Sequence, residues 1–367
     1  MTPRLRAPVS VDAEITSRCN LSCRYCYYFG NDAVVYSDLE TTEWLNFFEE
    51  LGRLSVLHVT FQGGEPFLRD DFADLIQRVV RCRMRFSILT NGTLIDDTLA
   101  ALIAGTGRCD GIQVSLDGNG PAIHDSCRGQ GSFVEAVRGI RILQRHGVTV
   151  TTRVTVQKLN VDVLEDMASF LLNDLNLTGF SVNSAAYLGT CRLNADDILL
   201  TVDERGKAMR TLWRLKNQYS DRITSSAGPL AEATYWNEME KARADNRPPM
   251  PGRGRLTGCG CYHNKIAVRS DGMIVPCTML AHMELGRINH DALPDVWRHS
   301  PLLNELRSRN NMPLSSFPFC SDCLYIPYCT GNCAGLAYSM TGQVNHPAPD
   351  ACLRRYLAMG GALPLEE

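Results

Sequence analysis

The chain has 367 residues, enough to bury a full core and more than the common size of one domain. Its 37 basic and 40 acidic residues nearly cancel and no Lys/Arg block stands out, which excludes a nucleic-acid stripe or a membrane-surface patch and suits a peptide or small-molecule substrate. No window approaches the roughly 20 apolar residues of a membrane span, and Met1 to Ser10 lacks the apolar run of a signal peptide, so a cytoplasmic protein is expected.

Six apolar, strand-like runs alternate with amphipathic ones: Val11 to Thr16, Val56 to Gln62, Phe86 to Asn91, Gly111 to Asp117, Val148 to Val156, and Gly179 to Asn183. Helical runs fall between them, near Thr42 to Leu51, Asp71 to Arg81, Asp96 to Ile103, Ser132 to Arg145, and Val163 to Leu172. This order predicts an α/β fold with parallel strands, a partial (β/α)6 barrel of TIM type with its active site at the C-terminal strand ends. Residues 203 to 219 read as another helix, and 225 to 258, with Pro248-Pro249-Met250-Pro251-Gly252, as a linker or adaptable cover. From Cys259 the composition turns cysteine-rich. The expected division is a core over 1–202, a helical linker or cover over 203–258 and a cysteine-rich domain over 259–367.

In a reducing compartment, fifteen cysteines read as metal ligands rather than disulfides. Cys19, Cys23 and Cys26 follow the first strand with no fourth cysteine near them. A four-iron cube usually takes one cysteine per iron, so a three-cysteine loop leaves one iron open for a small molecule. Zinc is the alternative, but it wants a fourth ligand, and the nearest histidine, His58, lies past a predicted helix.

The spacing C-x3-C-x2-C, with Tyr25 before the last cysteine, resembles the signature of the radical S-adenosylmethionine (SAM) enzymes. That resemblance implies a 4Fe-4S cluster whose open iron binds S-adenosyl-L-methionine, and cleavage to a 5'-deoxyadenosyl radical that abstracts hydrogen. Gly63-Gly64-Glu65-Pro66 after the second strand resembles the family's GGEP motif, and implies that Gly64 and Glu65 contact the methionyl amino group. Asn91 after the third strand and Ser115 and Asp117 at the end of the fourth match further family segments. Ser115 by resemblance lines the SAM site, and Asp117 could accept hydrogen bonds from ribose or substrate. Arg128, in the loop segment His124 to Gly129, matches an arginine that meets the cofactor; its guanidinium can pair with the methionyl carboxylate in a fork. Arg153 and Asn183 on the last two strands are further candidates.

Cys261, Gly272, Cys277, Cys320, Cys323, Cys329, Cys333 and Cys352 resemble, cysteine for cysteine, the SPASM domain of radical enzymes that modify peptides and proteins. The resemblance implies two auxiliary 4Fe-4S clusters, three clusters in all: Cys259, Cys261, Cys277 and Cys333 would hold the first, and Cys320, Cys323, Cys329 and Cys352 the second. A Cys-Gly-Cys pair is tight for two ligands of one cube, so either Cys259 or Cys261 is free not to bind. Zinc clamps are again the alternative. Cys82, Cys109 and Cys191 read as core residues, while Cys127, beside Arg128, is a candidate hydrogen-atom donor to a substrate radical.

Auxiliary clusters can accept an electron from a substrate radical, which favours oxidation. The reading is an oxidative modification of a peptide, by cross-link formation or dehydrogenation; the alternative is dehydrogenation or epimerisation of a small natural product such as an aminocyclitol. Sulfatase-maturing enzymes share this architecture but use an Asp beside a cluster cysteine, where this chain has Thr278, and Thr is no general base at neutral pH. There is no room before Cys19 for the leader-binding module of many relatives, so recognition of a peptide is expected to use another surface or a separate leader-peptide-binding protein, with an electron donor such as flavodoxin or ferredoxin. A non-catalytic iron-sulfur or zinc-binding redox or scaffold protein is the reading of another class.

Overall fold

The computed structural model describes residues 5–28, 36–257 and 259–364. Seven strands lie side by side in chain order, all parallel: β1 (Ser10–Thr16), β2 (His58–Gly63), β3 (Arg85–Thr90), β4 (Cys109–Ser115), β5 (Val150–Val156), β6 (Phe180–Ser184) and β7 (Ile223–Ser225). Helices α1 (Thr41–Arg53), α2 (Phe72–Arg81), α3 (Asp97–Gly105), α4 (Pro121–Arg128), α5 (Ser132–Arg145) and α6 (Leu164–Ser169) fill the crossovers. The six expected β-α units are present in the expected order.

Alternation along the strands separates two environments. Val11, Ala13 and Ile15 of β1, with Val59 and Phe61 of β2, are fully buried against the helical layer. Phe61 is a hub there, its ring 5.8 Å from Phe48, 5.3 Å from Phe72 and 5.9 Å from Phe86. The residues between them are polar on strand after strand: Asp12 and Glu14, Thr60 and Gln62, Gln113 and Ser115, Arg153 and Thr155, Ser181 and Asn183. A parallel sheet covered by apolar layers on both faces would carry near-continuous apolar runs. Here only the outer face is core; the inner face is a polar lining, as a ligand chamber requires.

Most of the segment His124 to Gly129, read from the sequence as loop, belongs to α4, begun by Pro121 in the first turn, so Cys127 and Arg128 sit on a helix. After the short α7 (Ala195–Ile198), α8 (Val202–Tyr219) starts at a capping box of Thr201 and Glu204. The stretch read as a linker or cover holds α9 (Pro229–Ala244), which packs against α8 through Trp236, Met239 and Met209. Its buried face, Leu230, Ala233, Trp236, Met239 and Ala242, is rich in alanine and gives only a weak apolar signal.

The cysteine-rich part is built onto the barrel. β8 (Lys265–Val268) pairs parallel with β1, and β9 (Met273–Val275) and β10 (Gly286–Arg287) add antiparallel strands, making one ten-stranded sheet. Lys265 of β8 reaches Asp12 of β1 at 2.7 Å. Short helices α10 (Leu293–His299), α11 (Pro301–Ser308), α12 (Ala334–Thr341) and α13 (Leu353–Ala358) carry much of the remainder. Among the described residues, no helix is long and apolar enough to cross a membrane.

The packing of α5 on the β3–α3 turn yields a two-sided test. A Cβ at Gly139 would lie 2.2 Å from the Gly92 carbonyl oxygen, whereas one at Gly105 meets nothing within 4 Å. Gly139→Ala is expected to destabilise the protein by about 1–3 kcal/mol, as overpacking does. Gly105→Ala is expected to be neutral or stabilising by roughly 0.5 kcal/mol. Urea midpoints of the two variants check both.

Candidate active site

The loop after β1 presents Cys19, Cys23 and Cys26, and its backbone is tied from three directions. Thr190 donates from its N–H to the Cys26 carbonyl (3.0 Å) and from its hydroxyl to the Cys23 carbonyl (2.9 Å), and the Asn194 amide donates to the Arg24 carbonyl (3.0 Å). The Arg24 N–H donates to the carbonyl of Cys127 on α4 (2.9 Å). Asn91, just past β3, donates to the Asn20 side chain (2.8 Å) and stands 4.0 Å from the Cys19 sulfur. Burial pushes the Cys23 thiol up to about 11, with Arg128 opposing and Cys26 and Cys19 adding to the rise. Burial raises the Cys19 thiol as well, so these two are poor thiolates alone, and the positive charge of an iron cluster is what would make them so. The donor set fits that group.

Gly63 and Gly64 bring the turn after β2 against this loop. A Cβ at Gly63 (φ 137°) would lie 2.2 Å from the Thr16 carbonyl oxygen, and one at Gly64 2.0 Å from that of Arg18. The same two carbonyls accept from the N–H groups of Gly64 and Glu65, each at 2.8 Å. Glu65 has no exposed surface: its carboxyl accepts from Phe67 N–H (3.2 Å), the Thr90 hydroxyl (2.7 Å) and Asn91 N–H (2.8 Å). Burial raises it to about 7 against those bonds. These bonds brace the turn against β3.

Asp117 is held by donors in the same way. It is fully buried, one oxygen accepting from Thr155 N–H (2.7 Å) and the other from Arg128 Nε (2.5 Å) and the Tyr25 hydroxyl. Burial works against the Arg128 charge, and Asp117 more than offsets it, so the guanidinium stays fully ionised. Arg128 also lies over the Tyr25 ring (5.4 Å) and reaches the Cys23 sulfur at 3.9 Å. Tyr25, Asp117 and Arg128 are thus one network beside the cysteine loop. Cys127 adjoins it: the thiol is 1% exposed, donates to the His124 carbonyl (3.3 Å) and is pushed by burial up to about 12, with Asp117 adding to the rise and Arg128 opposing it.

On the inner face, Ser115 and Arg153 are register partners on β4 and β5. Arg153 donates to Gln113 (3.1 Å) and pairs with no carboxylate among the described residues. Asn183 of β6 has its side-chain oxygen buried without a partner. Sequence reasoning passed over Glu14 and Gln62, register partners on β1 and β2, read only as strand interior. Both Glu14 carboxyl oxygens and the Gln62 amide nitrogen are buried without partners among the described residues. Burial, with Asp12 and then Cys277 adding, holds the Glu14 carboxyl well above the usual range. Thr190 and Asn194 were also missed, since nothing in their local pattern marks a distant loop anchor.

The C-terminal cysteines fall into two groups. Cys261 lies beside both Cys259 and Cys277, and Cys333 feels Cys277 and Cys259 electrostatically. Cys320, Cys323, Cys329 and Cys352 line one cavity together with Phe319, Ile326 and Leu353. Among the described residues, no three His, Cys, Asp or Glu side chains converge tightly enough for a single metal ion.

A profile of the radical SAM superfamily matches residues 13–171, and one of the SPASM iron-sulfur cluster-binding domain matches 259–324. The chain belongs to the radical SAM superfamily. It is a radical SAM enzyme with a C-terminal SPASM domain. It is 26% identical over 364 residues to mycofactocin maturase of Mycolicibacterium smegmatis, covering 94% of this chain and 83% of that protein. It is 26% identical over 359 residues to PqqA peptide cyclase of Gluconobacter oxydans (95% and 92% covered), and 26% over 347 residues to an AdoMet-dependent heme synthase of Oleidesulfovibrio alaskensis (90% and 83%). In fold it resembles Streptococcus suis SuiB bound to S-adenosylmethionine, with TM-score 0.72, 17% identity and 95% of this chain and 78% of that one covered.

Two outcomes test this radical SAM site's framework. Asp117→Asn leaves Arg128 as an uncompensated buried charge and is expected to cost about 3–5 kcal/mol in denaturant unfolding, with part of the loss recovered in the double variant Asp117→Leu/Arg128→Met. His124 sits buried with Nδ1 accepting from Asp117 N–H (3.2 Å), and burial, then Arg128, lowers it to about 4. Its folded value lies below its ordinary 6.5, so the stability it contributes is present above pH 6.5 and is lost as pH falls through about 4. The difference in unfolding free energy between wild type and His124→Gln, followed from pH 7 to 4, should shrink accordingly.

Proposed function

We propose that the enzyme oxidises a peptide, by cross-link formation or dehydrogenation, with three 4Fe-4S clusters. The observation that carries this is the arrangement: a three-cysteine loop at the mouth of a polar-lined barrel, with the Cys259–Cys261–Cys277–Cys333 group attached to the same sheet. Bound there, the cluster and S-adenosyl-L-methionine supply a 5'-deoxyadenosyl radical that abstracts hydrogen. Arg128, anchored by Asp117 beside Cys23, orients the ligand on the loop, and Ser115, Asn91 and the Gly63–Gly64 turn shape its surroundings. Loss of a further electron and proton from the substrate completes removal of two hydrogens, and the C-terminal cysteine groups are the acceptor side for that electron. Arg153, a guanidinium without a carboxylate, and the unpartnered Glu14, Gln62 and Asn183 are free to hold polar groups of the substrate.

Support for a peptide comes from the relatives named as a peptide cyclase and a maturase. The heme synthases at similar identity favour a second reading, oxidation of a small molecule. Reconstituted protein under reducing conditions is expected to release 5'-deoxyadenosine, and Cys23→Ala to abolish it. With a substrate peptide, mass spectrometry should show loss of two hydrogens; mass retention with deuterium uptake would mean epimerisation instead. The buried, engaged thiol of Cys127 supports a packing role, and Cys127→Ala is expected to keep its product yield; loss of product with intact 5'-deoxyadenosine release would restore the hydrogen-donor role.

A further inference from the structure

Arg309, which follows α11, is fully buried. Other buried arginines each hold a carboxylate: Arg69 with Asp71 (2.6 Å), Arg128 with Asp117 (2.5 Å) and Arg269 with Asp271 (2.6 Å). Arg309 has none among the described residues. Nη2 donates to the Asn332 carbonyl (3.3 Å) and the Tyr262 side chain lies within hydrogen-bonding reach, while Nε and Nη1 are left without a partner of good geometry. A buried guanidinium in that state is strongly unfavourable unless a counter-charge completes it.

The surroundings name the counter-charge. Arg309 feels Tyr262 and Cys333, and the buried Tyr262 in turn feels Arg309, Cys259, Cys333 and Cys261. Asn332, the acceptor for Nη2, is the residue before Cys333. The only anionic group these neighbours can assemble is a set of thiolates, and four thiolates on an iron cube leave a net negative charge. We propose that Arg309, with Tyr262 beside it, is the charge partner of the first auxiliary cluster and holds its reduction potential high. A fixed positive charge and N–H donors near the sulfurs favour the more negative, reduced form. That is the property an electron acceptor needs, so the inference rests on the oxidative reading above and supplies the residue that makes it work.

The test is an EPR-monitored redox titration of the full-length reconstituted protein, wild type against Arg309→Met, Arg309→Lys and Tyr262→Phe. Arg309→Met is expected to lower the potential of one auxiliary signal by about 59 mV or more, a tenfold change in its one-electron reduction equilibrium. Arg309→Lys should keep part of the effect, Tyr262→Phe should shift the same signal less, and the cluster that binds S-adenosylmethionine should not move. Without metal the prediction reverses: apo Arg309→Met should melt above apo wild type, because it sheds an uncompensated charge. Unchanged auxiliary potentials at full iron content, or an apo Arg309→Met that melts lower, would overturn the proposal while leaving the oxidative reading intact. If Arg309→Met fails to load iron, the Lys and Phe variants decide. Zinc in place of iron in the wild type would overturn both readings, and a potential shift without peptide oxidation would overturn only the oxidative one.

Discussion

One buried carboxylate organises the catalytic end of this enzyme. Asp117 accepts from Thr155 on β5, Arg128 on α4 and Tyr25 in the cysteine loop, its N–H donates to the His124 ring, and its carbonyl accepts from Asn160 (3.0 Å). Segments separated by more than a hundred residues in the chain thereby meet at one side chain. A charge so placed is unfavourable unless every partner is present, which is why Arg128 must come from a helix packed in register with β4 rather than from a mobile loop. The position of the cysteine loop, and of anything bound to it, follows from that network.

The second constraint is the split between the faces of the sheet. Phe48, Phe61, Phe72 and Phe86 form an aromatic cluster outside, so folding is driven from the helical layer and does not depend on filling the barrel. The inside is thereby free to stay polar and to keep unpartnered groups such as Glu14 and Gln62, which lower stability until a ligand meets them.

Much of this was legible in the sequence because it is local. Strand and helix periods along 10 to 184, the three-cysteine spacing and the SPASM cysteines are patterns within short windows. What was not legible is contact between distant windows. Nothing in His124 to Gly129 says that Arg128 turns inward to Asp117 or that the segment is helical, since Pro121 before it and Gly129 at its end look like turn residues. Glu65 and Asp117 stand at the expected strand ends, but the donors that bury them come from other segments, and a carboxylate near a mouth reads as exposed until those donors are seen. Helix α9 was hidden by its alanine-rich face, and Thr190 and Arg309 by having no motif at all.

The pairing of β8 with β1 carries a consequence for electron movement. The loop of Cys19, Cys23 and Cys26 leaves one end of β1, while Cys261 and Cys277 flank the strands laid against the same β1. The separation of the two redox sites is therefore fixed by a hydrogen-bonded ladder, not by two domains docking and undocking. With clusters bound at both places, the distance an electron would cross is a register property of the sheet, open to change by mutations that slip a strand.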